Sequence, residues 1–369
     1  MTERLKIGFD AKRIVRNGTG LGSYGRTLVN DLASYPLELR LYAPDQGRDE
    51  LRQQIRQQEN VSFCYPAQSA LPFSKALWRS KGIVSDLKRD GIKVFHGLSG
   101  ELPIGIRQSG IKSVVTIHDL IFLRHPEFYH WIDTKIYAWK FRQTLREADH
   151  IIAISECTKR DILAYGKVDE RKISVIYQSC APKFSVSQSA MPSNRYILSV
   201  GSIEARKNIL LAVKALPFLP EAVSLVIVGR HTPYTDEVIA YAKKEGLTHR
   251  IKIMHGVSDE KLPKLYAEAE AFVYPSRYEG FGIPIIEAIS CGLPVVAFDC
   301  PWGPRAIIVD GEDGLLVQNG NVKALADALV RLMGDEHLRH SMAEAGVRNV
   351  QRFGLDSIAG RWKSLFESL

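Results

Sequence analysis

AFVYPSRYEGFGIPIIE, residues 271–287, starts with four apolar residues, passes through a loop bracketed by Gly280 and Gly282, and continues into an apolar stretch at helical spacing. A short strand that turns through glycines into a helix is one βα unit of a parallel sheet. The helix is predicted to run to about Ser290. Its first backbone N–H groups have no partner inside the helix, so they and the positive end of the dipole make an anion site at the strand end.

The same alternation runs outward from this unit in both directions. Short strands are predicted over Lys6–Phe9, Glu38–Tyr42, Val61–Tyr65, Lys93–His96, Ser113–Ile117, His150–Ile154 and Ile173–Tyr177, and then over Tyr196–Val200, Ser224–Val228, Ile251–Met254, Ala271–Tyr274 and Pro294–Phe298. Longer helical stretches separate them, so the fold class is α/β with two parallel sheets. A chain of 369 residues exceeds one ordinary core and suits two domains, which bring a cleft with them. The polar stretch SVSQSAMPSN, Ser185 to Asn194, reads as the linker. The expected domains are residues 1–184 and 185–354. The final amphipathic helix puts Ile358, Trp362, Leu365 and Phe366 on one face and is expected to pack back on the first domain.

Composition excludes several classes. With 45% hydrophobic and 24% charged residues the chain is neither disordered nor collagen-like. Cys64, Cys157, Cys180, Cys291 and Cys300 are widely spaced and contain no Cys-x-x-Cys pair, which suits buried thiols of a reduced, cytoplasmic protein. No apolar run reaches the roughly 20 residues that span a bilayer. Net charge is +8, and the excess is all N-terminal, with about 29 Lys and Arg against 20 Asp and Glu through Lys183 and the remainder near balance. Such a surface is either merely solvated or drawn to an anionic membrane face or a phosphorylated acceptor. No nucleic-acid-binding signature accompanies it, so nucleic acid is not an expected partner.

Ligands of open parallel sheets sit beyond the carboxyl ends of the strands, and four constellations lie there. Glu279 is in the loop after Tyr274, and Glu287 lies about two helical turns further on. Arg206 and Lys207, in SVGSIEARKN, are expected where a helix begins, as two cations suited to a diphosphate. Gly20 and Gly22, in NGTGLGSYG, form a glycine loop that fits the dinucleotide fingerprint only formally, because Ala11 to Thr19 intervenes after the strand. His118, in TIHDL, ends a strand. A structural reading stands beside each: a solvated helix residue, a basic turn, a tight surface turn, a satisfied histidine.

The glutamate pair in EGFGIPIIE after Pro275 and Ser276 resembles that of the retaining glycosyltransferases of family four, of the GT-B class, and the resemblance spans nearly the whole chain. It implies two Rossmann-like domains facing across a cleft and a nucleotide diphosphate sugar as donor. It also implies Glu279 and His118 at the donor sugar, Glu287 on the ribose hydroxyls, and backbone contacts from Gly280, Phe281 and Gly282. Arg206 and Lys207 would meet the diphosphate, with Gly20 and Gly22 near the donor phosphate or acceptor. Ser202 departs from the arginine of many members, and Gln178 to Ala181 replaces their Asn-Gly-Val-Asp segment. The motifs are most similar to bacterial mannosyltransferases of surface polysaccharide, which puts GDP-mannose first, a UDP-sugar second, and a glycan or lipid-linked saccharide as acceptor. No Asp-x-Asp pair is present to hold a metal on the diphosphate, so no metal site and no cofactor beyond the sugar donor, itself a substrate, is expected. A nucleotide-sugar epimerase, a phosphorylase and a catalytically idle carbohydrate-binding protein are the alternatives.

Overall fold

The computed structural model describes residues 4–67, 72–186, 195–300 and 303–369. The chain divides into two compact units, one of Met1–Ser179 with Leu355–Leu369 and one of Cys180–Gly354. The division falls a few residues before the expected one at 184/185. Ser179 donates a buried 2.6 Å hydrogen bond to Asp31 of the first unit, whereas Lys183 pairs with Asp259 at 2.6 Å and the Phe184 ring meets Tyr266 in the second. Most of the expected linker, 187–194, lies outside the described residues.

In the first unit β1 (Leu5–Asp10), β2 (Leu37–Tyr42), β3 (Val61–Cys64), β4 (Val94–Gly97), β5 (Lys112–Ile117), β6 (His150–Ala153) and β7 (Ile173–Val175) form one sheet in the order β3-β2-β1-β4-β5-β6-β7. All its pairings are parallel. Ile7, Phe9, Leu39, Leu41, Val114 and Ile152 are fully buried, as strands covered on both faces require. The last helix, Leu355–Ser368, buries Ile358, Ala359, Trp362 and Phe366 in this core, with Phe366 edge-on to Phe9 and Trp362 against His96. Arg361 ties it to the carbonyl of Val175 at 2.5 Å.

The second unit pairs β8 (Tyr196–Val200), β9 (Ser224–Val228), β10 (Ile251–Met254), β11 (Ala271–Tyr274), β12 (Val295–Phe298) and β13 (Gly314–Val317) in the order β10-β9-β8-β11-β12-β13, again parallel. The strand β13 was not expected. Only three apolar residues follow Gly314, too few to signal a strand without the register that β12 supplies. Fully burying each aliphatic side chain of such a core is worth about 1.5–3 kcal/mol.

Strand order reverses at β1 in the first sheet and at β8 in the second, so the crevices open between β1 and β4 and between β8 and β11. The charged residues described next follow those strands.

Candidate active site

In the second unit the loop after β8 turns at Gly201, whose φ of 151° suits glycine. A Cβ on Gly229 would overlap the Gly201 carbonyl, so the neighbouring strand must also end in glycine. Arg206 and Lys207 then lie in a short 3-10 turn, Ala205–Lys207, and not at a helix start. Asn208, in the left-handed conformation at φ 57°, separates them from the helix Ile209–Ala215. The expected placement at the helix N-terminus is therefore corrected. The intervening turn takes the two cations off the positive end of the dipole, which would repel them.

The turn is laced to the loop after β11. The Arg277 N–H donates to the Arg206 carbonyl at 3.0 Å, and the Arg206 guanidinium donates to the Tyr278 carbonyl at 2.8 Å. Lys207 Nζ sits 2.6 Å from Glu279 Oε1 and 3.1 Å from the Tyr274 hydroxyl, while Arg206 stands 3.2 Å from Glu279 Oε2. Glu279 is only 6% exposed. Burial alone would push its carboxyl up, but the charges of Lys207 and Arg206 override this and hold it at about 2. Two half-buried cations thus share one ionised carboxylate at the switch point; Arg206 also lies 3.9 Å from Glu204, which Arg230 approaches at 3.8 Å, so three cations meet two carboxylates and positive charge is left where a diphosphate would find it.

Gly282, at φ 113°, precedes the helix Ile283–Ser290, and Pro284 suits its first turn. The Phe281 ring is buried edge-on to Phe353, so this residue offers a ligand its backbone alone. Gly303 was missed. A Cβ there would stand 2.7 Å from Glu279 Cβ and 2.8 Å from the Phe281 carbonyl, so only glycine lets that chain pass the loop. The sole sequence signal was a glycine beyond β12. Glu287 accepts a 2.9 Å hydrogen bond from the Tyr266 hydroxyl, a partner the sequence did not suggest. Burial raises its carboxyl to about 7.

In the first unit His118 directly follows β5. Its Nε2 lies 2.8 Å from the Leu98 carbonyl, which only accepts, so the proton is on Nε2 and Nδ1 is an acceptor. Burial lowers its pKa to about 4, against the pull of the Leu98 carbonyl, so the ring is neutral at pH 7. Tyr24 packs edge-on to it at 4.7 Å and bonds Thr116 at 3.0 Å, and Thr116 in turn meets His96 at 2.8 Å. Gly20 opens the helix Gly20–Leu32 with free space around its α-carbon. Gly22 has a packing role, since a Cβ there would overlap the Asn17 carbonyl. Ser155 caps the helix Glu156–Gly166 by accepting from the Thr158 N–H at 3.1 Å.

The site therefore has one assembled part, Arg206–Lys207–Glu279 with the loop 280–282. Residues 18–180 match the model of Glycosyltransferase Family 4, and residues 183–348 that of Glycosyl transferases group 1. The chain belongs to glycosyltransferase family 4. It is a hexosyltransferase of the GT-B fold.

Among its relatives, O-antigen chain mannosyltransferase B of Escherichia coli is 28% identical over 72% of this chain and 71% of its own length. O-antigen chain mannosyltransferase RfbU of Salmonella typhimurium is 31% identical over 60% of this chain and 63% of its own. A sucrose-phosphate synthase from Thermosynechococcus elongatus superposes with a TM-score of 0.82 at 21% identity, covering 99% of both chains. Anabaena HepE, solved with UDP, gives 0.76 at 18% identity and full coverage of both. At such identities the solved structures speak for the fold of this glycosyltransferase. Its loop lacing after β8 and β11 is what the glutamate pair alone could not show.

Proposed function

We propose that this glycosyltransferase moves mannose from GDP-mannose, with a UDP-sugar the second choice, to a glycan or lipid-linked saccharide during surface polysaccharide assembly, with retention and without a metal. The observation that carries the reading is the pair of half-buried cations at the β8/β11 switch point. They supply positive charge for a departing nucleoside diphosphate, the task that a metal performs in other transferases. The two relatives named as O-antigen chain mannosyltransferases support mannose and polysaccharide.

In this reading the acceptor attacks on the face the leaving group vacates, and the leaving phosphate oxygen takes its proton. Glu279 and neutral His118 orient the sugar. Glu287 lies on a helix and bonds Tyr266, away from the ion cluster of Glu279, so the pair supports no double displacement, which needs two carboxyls about 5 Å apart across the anomeric carbon. Nucleoside diphosphate should appear only when acceptor is added, and EDTA should leave the rate nearly unchanged. Release without acceptor, or a loss with EDTA that Mg²⁺ restores, would count against transfer or against metal independence respectively.

No described helix is long and apolar enough to cross a membrane. We place the protein in the cytoplasm, at the inner face of the membrane, on the strength of the helix Trp131–Glu147. It exposes Trp131, Ile132, Ile136 and Trp139, and Lys135 Nζ lies 4.7 Å over the Trp131 ring. Aromatic and basic side chains together favour an anionic interface. The protein should float with anionic vesicles and stay behind with neutral ones; equal recovery from both would remove the charge-based part of this placement.

A further inference from the structure

The glycine-rich stretch NGTGLGSYG takes no chemical part in the transfer proposed above, yet it builds a close approach. A Cβ on Gly25 would stand 2.9 Å from Ile14 and 3.2 Å from Leu98, so glycine there lets the helix Gly20–Leu32 lie against the Leu98 segment. That segment supplies the carbonyl that meets His118 Nε2. From the helix itself Tyr24 reaches the imidazole, with ring centroids 4.7 Å apart and planes at 89°.

An imidazole turns easily about its second side-chain torsion, whose minima are broad, so its direction has to be set from outside. The Leu98 carbonyl holds Nε2, and the Thr158 hydroxyl holds the main chain by donating to the His118 carbonyl at 3.0 Å. Tyr24 bears on the ring itself. It is buried, its hydroxyl lies 3.0 Å from that of Thr116, and Thr116 Oγ1 lies 2.8 Å from Nε2 of the fully buried His96. The rings of Phe9, Trp362 and Phe366 pack His96 in place. Burial lowers the His96 pKa to about 3 and raises that of the Tyr24 phenol, so the chain Tyr24–Thr116–His96 is uncharged at pH 7 and acts on His118 by contact.

We infer that Tyr24 is a positioning residue for His118: its anchored ring fixes the imidazole plane and, with Nε2 tied to Leu98, leaves Nδ1 as the acceptor presented to a sugar hydroxyl. The inference rests on the transferase reading above and adds to it a residue that touches no substrate. It also gives the glycines a task. A side chain at Gly22 or Gly25 would hold the helix, and Tyr24 with it, away from the histidine. The titratable groups acting on His118 are Arg13, whose charge lowers its pKa further, and neutral His96.

Turnover with donor and acceptor is measured beside the titration of the nitrogen-labelled His118 imidazole, assigned by comparison with His118→Ala. Tyr24→Leu should lower kcat by about tenfold or more at unchanged donor KM, since misplacing a group can cost up to about a hundredfold. Its His118 loses burial and should titrate above the parental value of about 4, toward the ordinary histidine value of about 6.5, and the acid limb of the rate profile should rise with it. Tyr24→Phe keeps the ring and should restore most of both. Leu32→Ala, about two turns further along the same helix, should lower the melting temperature and leave both readouts parental. A folded Tyr24→Leu with parental kcat and titration overturns the assignment, as does a Tyr24→Phe no better than the leucine or a Leu32→Ala that reproduces the shift. If Tyr24→Leu does not fold, Gly25→Ala decides: its Cβ pushes the helix off Leu98 and should give the same two changes in smaller measure, and parental readouts there overturn the assignment equally. Parental turnover in His118→Ala would instead remove the histidine from the transfer, while the titrations still decide whether Tyr24 holds its ring.

Discussion

Glu279→Ala should lower the rate of transfer by about a hundredfold or more, equivalent to roughly 2.7 kcal/mol of transition-state stabilisation. The carboxylate is 6% exposed and held ionised by two cations, so its orientation is set before any sugar arrives. Truncation also strips the partner from Lys207 and Arg206, and removing one member of a buried ion pair costs roughly 3–5 kcal/mol of stability. Glu279→Gln keeps the shape and much of the hydrogen bonding, and so separates lost chemistry from lost fold. Thermal melts run beside the kinetics make the separation. Both variants should bind nucleoside diphosphate at least as well as the parent, because the cations no longer share their charge with a carboxylate. Near-parental turnover in a folded glutamine variant would take Glu279 out of the site.

Lys207→Ala should weaken the intact donor and the nucleoside diphosphate product alike. A diphosphate brings about two negative charges into a partly desolvated site, and truncating one partner of such a contact costs roughly 2–5 kcal/mol. Lys207 is the cleaner probe of the two cations. Arg206 also donates to the Tyr278 carbonyl and so holds the loop that carries Glu279, whereas the Lys207 ammonium, among the described residues, hydrogen-bonds to the Tyr274 hydroxyl and to Glu279 itself. Calorimetric titration of both variants with donor and product gives a crossed result. The lysine variant should lose product affinity and the glutamate variant should keep it. Normal product binding by Lys207→Ala would move the diphosphate away from the β8/β11 switch point.

These expectations draw on two kinds of information. The run AFVY followed by glycines and an apolar helix declares a βα unit within a window of a few residues, and all seven strands of the first sheet were legible in the same way. The cation pair ARK, the glutamates of EGFGIPIIE and the histidine of TIHDL stood out because charged residues at strand ends have no packing reason to be there. Gly314–Val317 escaped notice, since three apolar residues after a glycine carry no period until β12 lies alongside. The start of the helix after Lys207 was misplaced because the left-handed conformation of Asn208 is a property of the folded turn, not of its composition.

Sequence alone determined the class of the fold, the order of its elements and the kinds of charge gathered after particular strands, because strand and helix periods are written in residues a few positions apart. Tertiary structure decided which of those charges meet. Lys207 and Glu279 are 72 positions apart, and they touch because β8 and β11 are neighbours in a sheet whose order places β9 and β10 on the other side. Arg79 and Asp10, separated by 69 positions, meet over β1 for the same kind of reason. Strand order follows from how whole helices and strands pack, a sum of many weak burial terms spread over the chain, and no local pattern of residues records that sum.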